Sequence, residues 1–180
     1  PKAKYQLKNT KSKSNQFKML KSLELKEKYY YYLKNFAKKI NIDFFTSVFD
    51  EESLEFVQKK LKNKFIKIPS GEINNYFILD KLDTSQKIIL STGMSDLKEI
   101  AQTINRIYKK NIYKLRKNEI VKKNHILINK IKSKITLLHC VTDYPVLDNS
   151  ANLLSIKFLQ NKLGLNIGYS DHTKGILAPV

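Results

Sequence analysis

The chain has 180 residues, 42% of them hydrophobic, enough to bury a core as one domain or part of one. No long uncharged apolar run is present to span a membrane and the opening PKAKYQLKNTKSKSNQ has no apolar leader core, so a cytoplasmic protein without membrane attachment is expected. A net charge of +18 would suit nucleic acid, but Arg106 and Arg116 are the only arginines and the lysines are spread along the chain, so salt-sensitive sticking is expected rather than specific readout.

In chain order, Pro1 to Ser14 is polar, lysine-rich and without period, and reads as loop or disorder. A helical excursion follows to about residue 40. Phe17, Met19, Leu20, Leu23 and Leu25 approximate one apolar side, and Tyr29, Leu33 and Phe36 keep helical spacing from about Lys26 to Lys39. Tyr29 to Tyr32 cannot share one helix face, which predicts packing for some and solvent for others rather than a stacking platform. DFFTSV, from Asp43 to Val48, reads as a strand, with Asp50 capping a helix through Leu54, Phe56, Val57 and Leu61.

FIKI, from Phe65, is an apolar strand that breaks into Pro-Ser-Gly-Glu. Alternation puts Phe65 and Lys67 on one face and Ile66 and Ile68 on the other. The bland alternative is an edge strand with Lys67 in water; a Lys67 turned towards the core would need an anion. A short helix from Asn74 to Leu82, a strand KIILS ending in Ser91-Thr92-Gly93, and a helix begun by Ser95, Lys98 and Glu99 come next. Gly93 is expected to let the chain turn tightly and bring N–H groups towards a ligand.

Residues 109–134 hold nine lysines and one arginine against Glu119 alone. This stretch reads as a surface insertion (a helix extension, a solvated hairpin or disorder), with His125 exposed. KITLLHC then gives a strand, a helix from about Ala151 to Leu163 is stopped by Gly164, and NIGYSDHT gives the last strand. The lone Cys140 cannot form an intramolecular disulfide, and is expected to be an inert buried thiol.

Strands alternating with helices predict an α/β fold with a parallel sheet or barrel, whose site lies at the carboxyl ends of the strands. There fall Ser47, Lys67, Ser70, Ser91, Tyr144, Ser170 and His172. Hydroxyls with a lysine suit a small anion bearing phosphate or carboxylate, and a neutral imidazole suits a divalent metal, although one histidine does not make a metal site.

KIPSGEINNY, ILSTGM, LLHCVTDYP and GYSDHT, in this order, resemble the sialic acid synthase family with its legionaminate and pseudaminate relatives. The resemblance implies a TIM (β/α)8 barrel of which strands three to seven are present, and condensation of phosphoenolpyruvate with N-acetylmannosamine or a related N-acyl sugar using Mn or Mg. By resemblance Lys67, Ser70, Ser91, Ser170 and Ser47 meet phosphoenolpyruvate, Tyr144 and Thr142 meet the sugar, His172 ligates the metal and Glu72 stands at the reaction centre. Val48 departs from the family's usual proline and Thr142 from an asparagine of some members.

The matching motifs leave out the family's first two strands, its eighth strand and its antifreeze-like domain, which in a domain-swapped homodimer completes the partner subunit's site. A fragment without synthase activity of its own is therefore expected, with a non-catalytic relic or lysine-rich binding fragment as the alternative.

Overall fold

The computed structural model describes residues 6–7, 15–117 and 119–180. They fall into two compact units that divide between Asp43 and Phe44. Most of the polar start lies outside the described residues.

In the first unit, α1 (Gln16–Ser22) is capped by Asn15, whose side-chain oxygen accepts from Lys18 N–H at 2.9 Å. Helix α2 (Glu27–Lys39) buries Ala37 alone. The spacing of Tyr29, Leu33 and Phe36 does mark a helix, yet all three stand exposed. The tyrosine run is largely in solvent, with Tyr32 stacked on Phe36 at 6.5 Å between ring centres.

The second unit is built on four parallel strands, β1 (Phe65–Ile68), β2 (Lys87–Ser91), β5 (Ile135–His139) and β6 (Asn166–Tyr169), adjacent in that order. Register explains why. Ile66, Ile88 and Ile135 form one row across the sheet and Ile68, Leu90 and Leu137 the next, all buried. Each such side chain removed from water contributes about 1.5–3 kcal/mol. The alternate row of Lys67, Ile89 and Thr136 is only half-buried, so one face of the sheet is dry and the other keeps access.

The expected strand from Asp43 to Val48 is not formed. It shrinks to one parallel bridge between Ser47 and Lys67, with Val48 N–H donating to Lys67 O at 3.1 Å. The ladder cannot lengthen because Asp50 immediately caps α3 (Glu51–Glu55), accepting from Ser53 N–H at 2.6 Å while the Ser53 hydroxyl faces back to Asp50 N–H. A π-helical turn, Phe56–Lys60, continues α3.

The short helix α4 (Tyr76–Leu79) is trimmed by its Asn75 cap. Helix α5 (Leu97–Ile107) starts after Asp96, not Ser95. Asp96 and Glu99 bond reciprocally to each other's backbone, and Ile100, Ala101, Ile104 and Ile107 are buried.

The lysine-rich stretch is a hairpin of β3 (Tyr113–Arg116) and β4 (Glu119–Lys123), followed by α6 (His125–Ile131). It is more than a solvated excursion. Ile112, Tyr113, Ile128 and Ile131 are buried, and the Tyr113 hydroxyl donates to Leu163 O at 2.7 Å. His125 is exposed as expected. Helix α7 (Leu154–Leu163) begins three residues later than the sequence indicated, because a 3-10 turn at Asp148–Ser150 takes up the approach. Gly164 ends it at φ 71°, in the left-handed region glycine tolerates. No helix among the described residues is long and apolar enough to cross a membrane.

Candidate functional site

Strand direction brings the polar residues to one rim. Lys67 leans along β1 towards the strand end, and its Nζ donates to Ser91 Oγ on β2 at 2.7 Å. Burial of the ammonium lowers its pKa, with Cys140 acting weakly in the opposite sense. Among the described residues no carboxylate is paired with it within 4 Å. The half-buried cation is thus held by a hydroxyl alone. Ser47 lies against the same position through its bridge to Lys67.

Two residues past β1, the 3-10 turn Ser70–Glu72 presents Ser70. Its Oγ accepts from Gly93 N–H at 3.0 Å and lies 3.1 Å from Cys140 Sγ. Gly93 is needed here for space, not for its torsion. A Cβ at 93 would stand 2.8 Å from Cys140 Sγ, 2.8 Å from Thr142 Cγ2 and 2.9 Å from Ser70 Oγ. The residue that takes a positive φ is Met94, at 63°.

A second group forms after β5 and β6. His172 Nδ1 is 2.6 Å from Val141 O, a contact that requires an N–H there, so that in the neutral imidazole Nε2 is the acceptor nitrogen. Nε2 faces Ser170 Oγ at 3.4 Å. The Tyr144 ring packs on the imidazole, 4.3 Å between centres. Val146 N–H donating to His172 O at 2.8 Å ties the two loops together. Next to His172, Asp171 accepts from the N–H and hydroxyl of Thr173, both at 2.8 Å, and these bonds hold its carboxyl below the usual range.

Lys67 with Ser91, Ser70 with Gly93 and Cys140, and His172 with Tyr144 and Ser170 thus form three contacting groups. The second and third are linked through consecutive residues, Cys140 meeting Ser70 and the Val141 carbonyl meeting His172. Glu72 stands apart from these contacts: its Oε2 accepts from Asn75 Nδ2 at 2.7 Å. Cys140 and the Val141 carbonyl were not picked out as site groups by sequence reasoning. The HCVTDYP run was the available signal, since it interposes small residues between a strand end and a proline.

A profile of the NeuB family matches residues 1–180. The chain belongs to the NeuB family. This NeuB chain is 42% identical over 176 residues to the N,N'-diacetyllegionaminic acid synthase of Campylobacter jejuni, covering 97% of the chain and 47% of that protein. It is 37% identical to the synthase of the same name from Legionella pneumophila, covering 99% and 46%. It therefore spans about half the length of these curated relatives. Its structure is similar to the N-acetylneuraminic acid synthetase of Leptospira borgpetersenii, crystallised with citrate, at TM-score 0.70 and 34% identity over 87% of this chain and 47% of that one. The α/β fold with a parallel sheet is therefore common to the NeuB chain and a sialic acid synthetase.

Proposed function

We propose that this chain forms the phosphoenolpyruvate-binding rim of a transferase that condenses phosphoenolpyruvate with an N-acyl amino sugar, giving a nonulosonic acid and phosphate. The observation that carries this reading is Lys67, a half-buried ammonium hydrogen-bonded to Ser91 and without a carboxylate partner among the described residues. A cation desolvated in this way gains most from a dianion, and phosphate and carboxylate both accept from hydroxyl and ammonium donors. The sheet is read as strands three to seven of a (β/α)8 barrel, with the Ser47 bridge standing for the third.

In this reaction C3 of the enol forms a bond to the sugar's aldehyde carbon, water adds at C2, and phosphate leaves. Lys67, Ser91 and Ser70, with Ser47 and Ser170 beside them, would hold the phosphate and carboxylate and stabilise the charge that builds there. Tyr144 and Thr142 would meet the sugar; Glu72, bonded to Asn75 and apart from the other groups, is assigned to the reaction centre by family resemblance alone. The family implies Mn or Mg. His172 fits as one ligand, because its Nδ1 contact with Val141 O leaves Nε2 with a lone pair, but no three metal-binding groups cluster among the described residues. When bound, the metal would supply Lewis-acid polarisation of the sugar aldehyde.

The legionaminic acid synthases, at 42% and 37% identity, exceed the 32% of a Drosophila melanogaster N-acetylneuraminate-9-phosphate synthase and of a Helicobacter pylori pseudaminic acid synthase. This favours a precursor of N,N'-diacetyllegionaminic acid as the sugar. The test is calorimetric titration of phosphoenolpyruvate into the chain, with Lys67→Ala and Ser91→Ala alongside. Saturable binding lost in both variants supports the reading, while binding indifferent to both removes it. Phosphate release with candidate sugars, in the chain and in a version joined to the remaining half of a relative, separates a partial barrel from a complete catalyst.

A further inference from the structure

Ser70 Oγ is held between groups from two other strand ends. Gly93 N–H donates to it at 3.0 Å after β2, and Cys140 Sγ stands 3.1 Å away after β5. A hydroxyl has two acceptor lone pairs and one proton. Gly93 occupies one pair. The thiol can therefore receive the serine proton or give its own to the second pair, and the geometry allows both.

We propose, resting on the phosphoenolpyruvate reading above, that Cys140 is a positioning residue that turns Ser70 into a hydrogen-bond donor when an anion docks. With a phosphate or carboxylate oxygen at the rim, the Ser70 proton turns to that oxygen and the Cys140 S–H turns to Ser70 Oγ. No covalent bond forms or breaks, and the serine and the thiol each keep their own proton. The direction follows from relative strengths. An O–H bond to an anionic oxygen is roughly twice as strong as a neutral one, whereas a thiol is a weak partner in either sense. With both acceptor pairs of Ser70 engaged by Gly93 and Cys140, its proton has only the ligand to serve.

The cage around the pair fixes this arrangement. Cys140 Sγ, the Thr142 methyl and Ser70 Oγ all converge on Gly93, which has no room for a Cβ against them. Cys140 is buried in this cage, with a hydroxyl as its polar neighbour. Simple filling of apolar space would not require that neighbour.

The chain has one cysteine, so its S–H stretch is a single infrared band. Ser70→Ala should shift that band without ligand, and phosphoenolpyruvate should lower its frequency in the unaltered chain as the thiol becomes a donor. Cys140→Ala should weaken phosphoenolpyruvate binding about three- to ten-fold, the scale of one hydrogen bond. Cys140→Ser, which relays in the same way, should restore affinity to within about two-fold. A band indifferent to both Ser70→Ala and ligand, in a chain whose binding still depends on Lys67, overturns the relay and leaves the phosphoenolpyruvate reading standing. Equal affinity in the unaltered chain and Cys140→Ala does the same. A band that answers to Ser70→Ala in a chain that binds no phosphoenolpyruvate overturns that reading, and the role of Cys140 with it. If Cys140→Ala fails to fold, the band and Cys140→Ser decide alone.

Discussion

Lys67 is costly where it sits, since burial disfavours its charge and its hydrogen-bond partner is a neutral serine hydroxyl, with Cys140 opposing the effect of burial in second place. Lys67→Met should therefore raise folding stability by about 1 kcal/mol while abolishing phosphoenolpyruvate binding. Denaturant titration and calorimetry on one preparation would check both. The pH dependence has a defined sign. Between the lowered pKa of folded Lys67 and the ordinary value of 10.5, the unfolded chain holds the extra proton, so stability rises with pH. If Lys67 holds the anion as proposed, anion affinity should fall across the same window, whereas any binding left in Lys67→Met should not follow it. Gly93→Ala should cost about 1–3 kcal/mol, as overpacking does, and weaken ligand binding, because its methyl would meet three atoms within 3 Å. At this scale the sequence showed which residue types gather at the rim but not their hydrogen-bond partners. Lys67 could be picked out by alternation alone. The Cys140 contact with Ser70 could not, because it joins atoms 70 positions apart.

Among the elements, those with both a period and a cap were legible. Helix α5 was legible from its isoleucines at helical spacing, while its start was misplaced by one residue, at Ser95 instead of the reciprocal Asp96–Glu99 cap. Asp96→Ala should lower stability by about 1 kcal/mol in a thermal melt. Where two signals competed, the reading failed. The stretch at Asp43 to Val48 has strand composition, but the cap at Asp50 leaves it a single bridge. In the lysine-rich stretch, charge density obscured a hairpin whose buried side is Ile112 and Tyr113. Burial raises the pKa of the Tyr113 phenol, which keeps it neutral as a donor to Leu163 O. Tyr113→Phe should then cost about 1 kcal/mol, read by denaturant titration. No change would mean that the hairpin is not tied to the end of α7.

For the whole molecule, charge and site are separate matters. With Lys and Arg outnumbering Asp and Glu 34 to 16, the chain should retain mixed-sequence DNA at low salt and release it steeply as salt rises, with no sequence preference. A filter-binding titration at two salt concentrations measures this. The parallel order of the sheet was legible from the alternation of strands and helices, whereas the short ladder at Ser47 depended on tertiary geometry. Pairing between β1 and β2 has a further consequence. Lys67 lies opposite Ile89, and Ile66 opposite Ile88. If β1 slid by a single position, an isoleucine would replace the ammonium beside Ser91 and the lysine would enter the dry side. Such a misregistered chain would look compact and parallel by circular dichroism yet would be mute towards phosphoenolpyruvate, so the titration that assays the ligand also audits whether the strands have been threaded correctly.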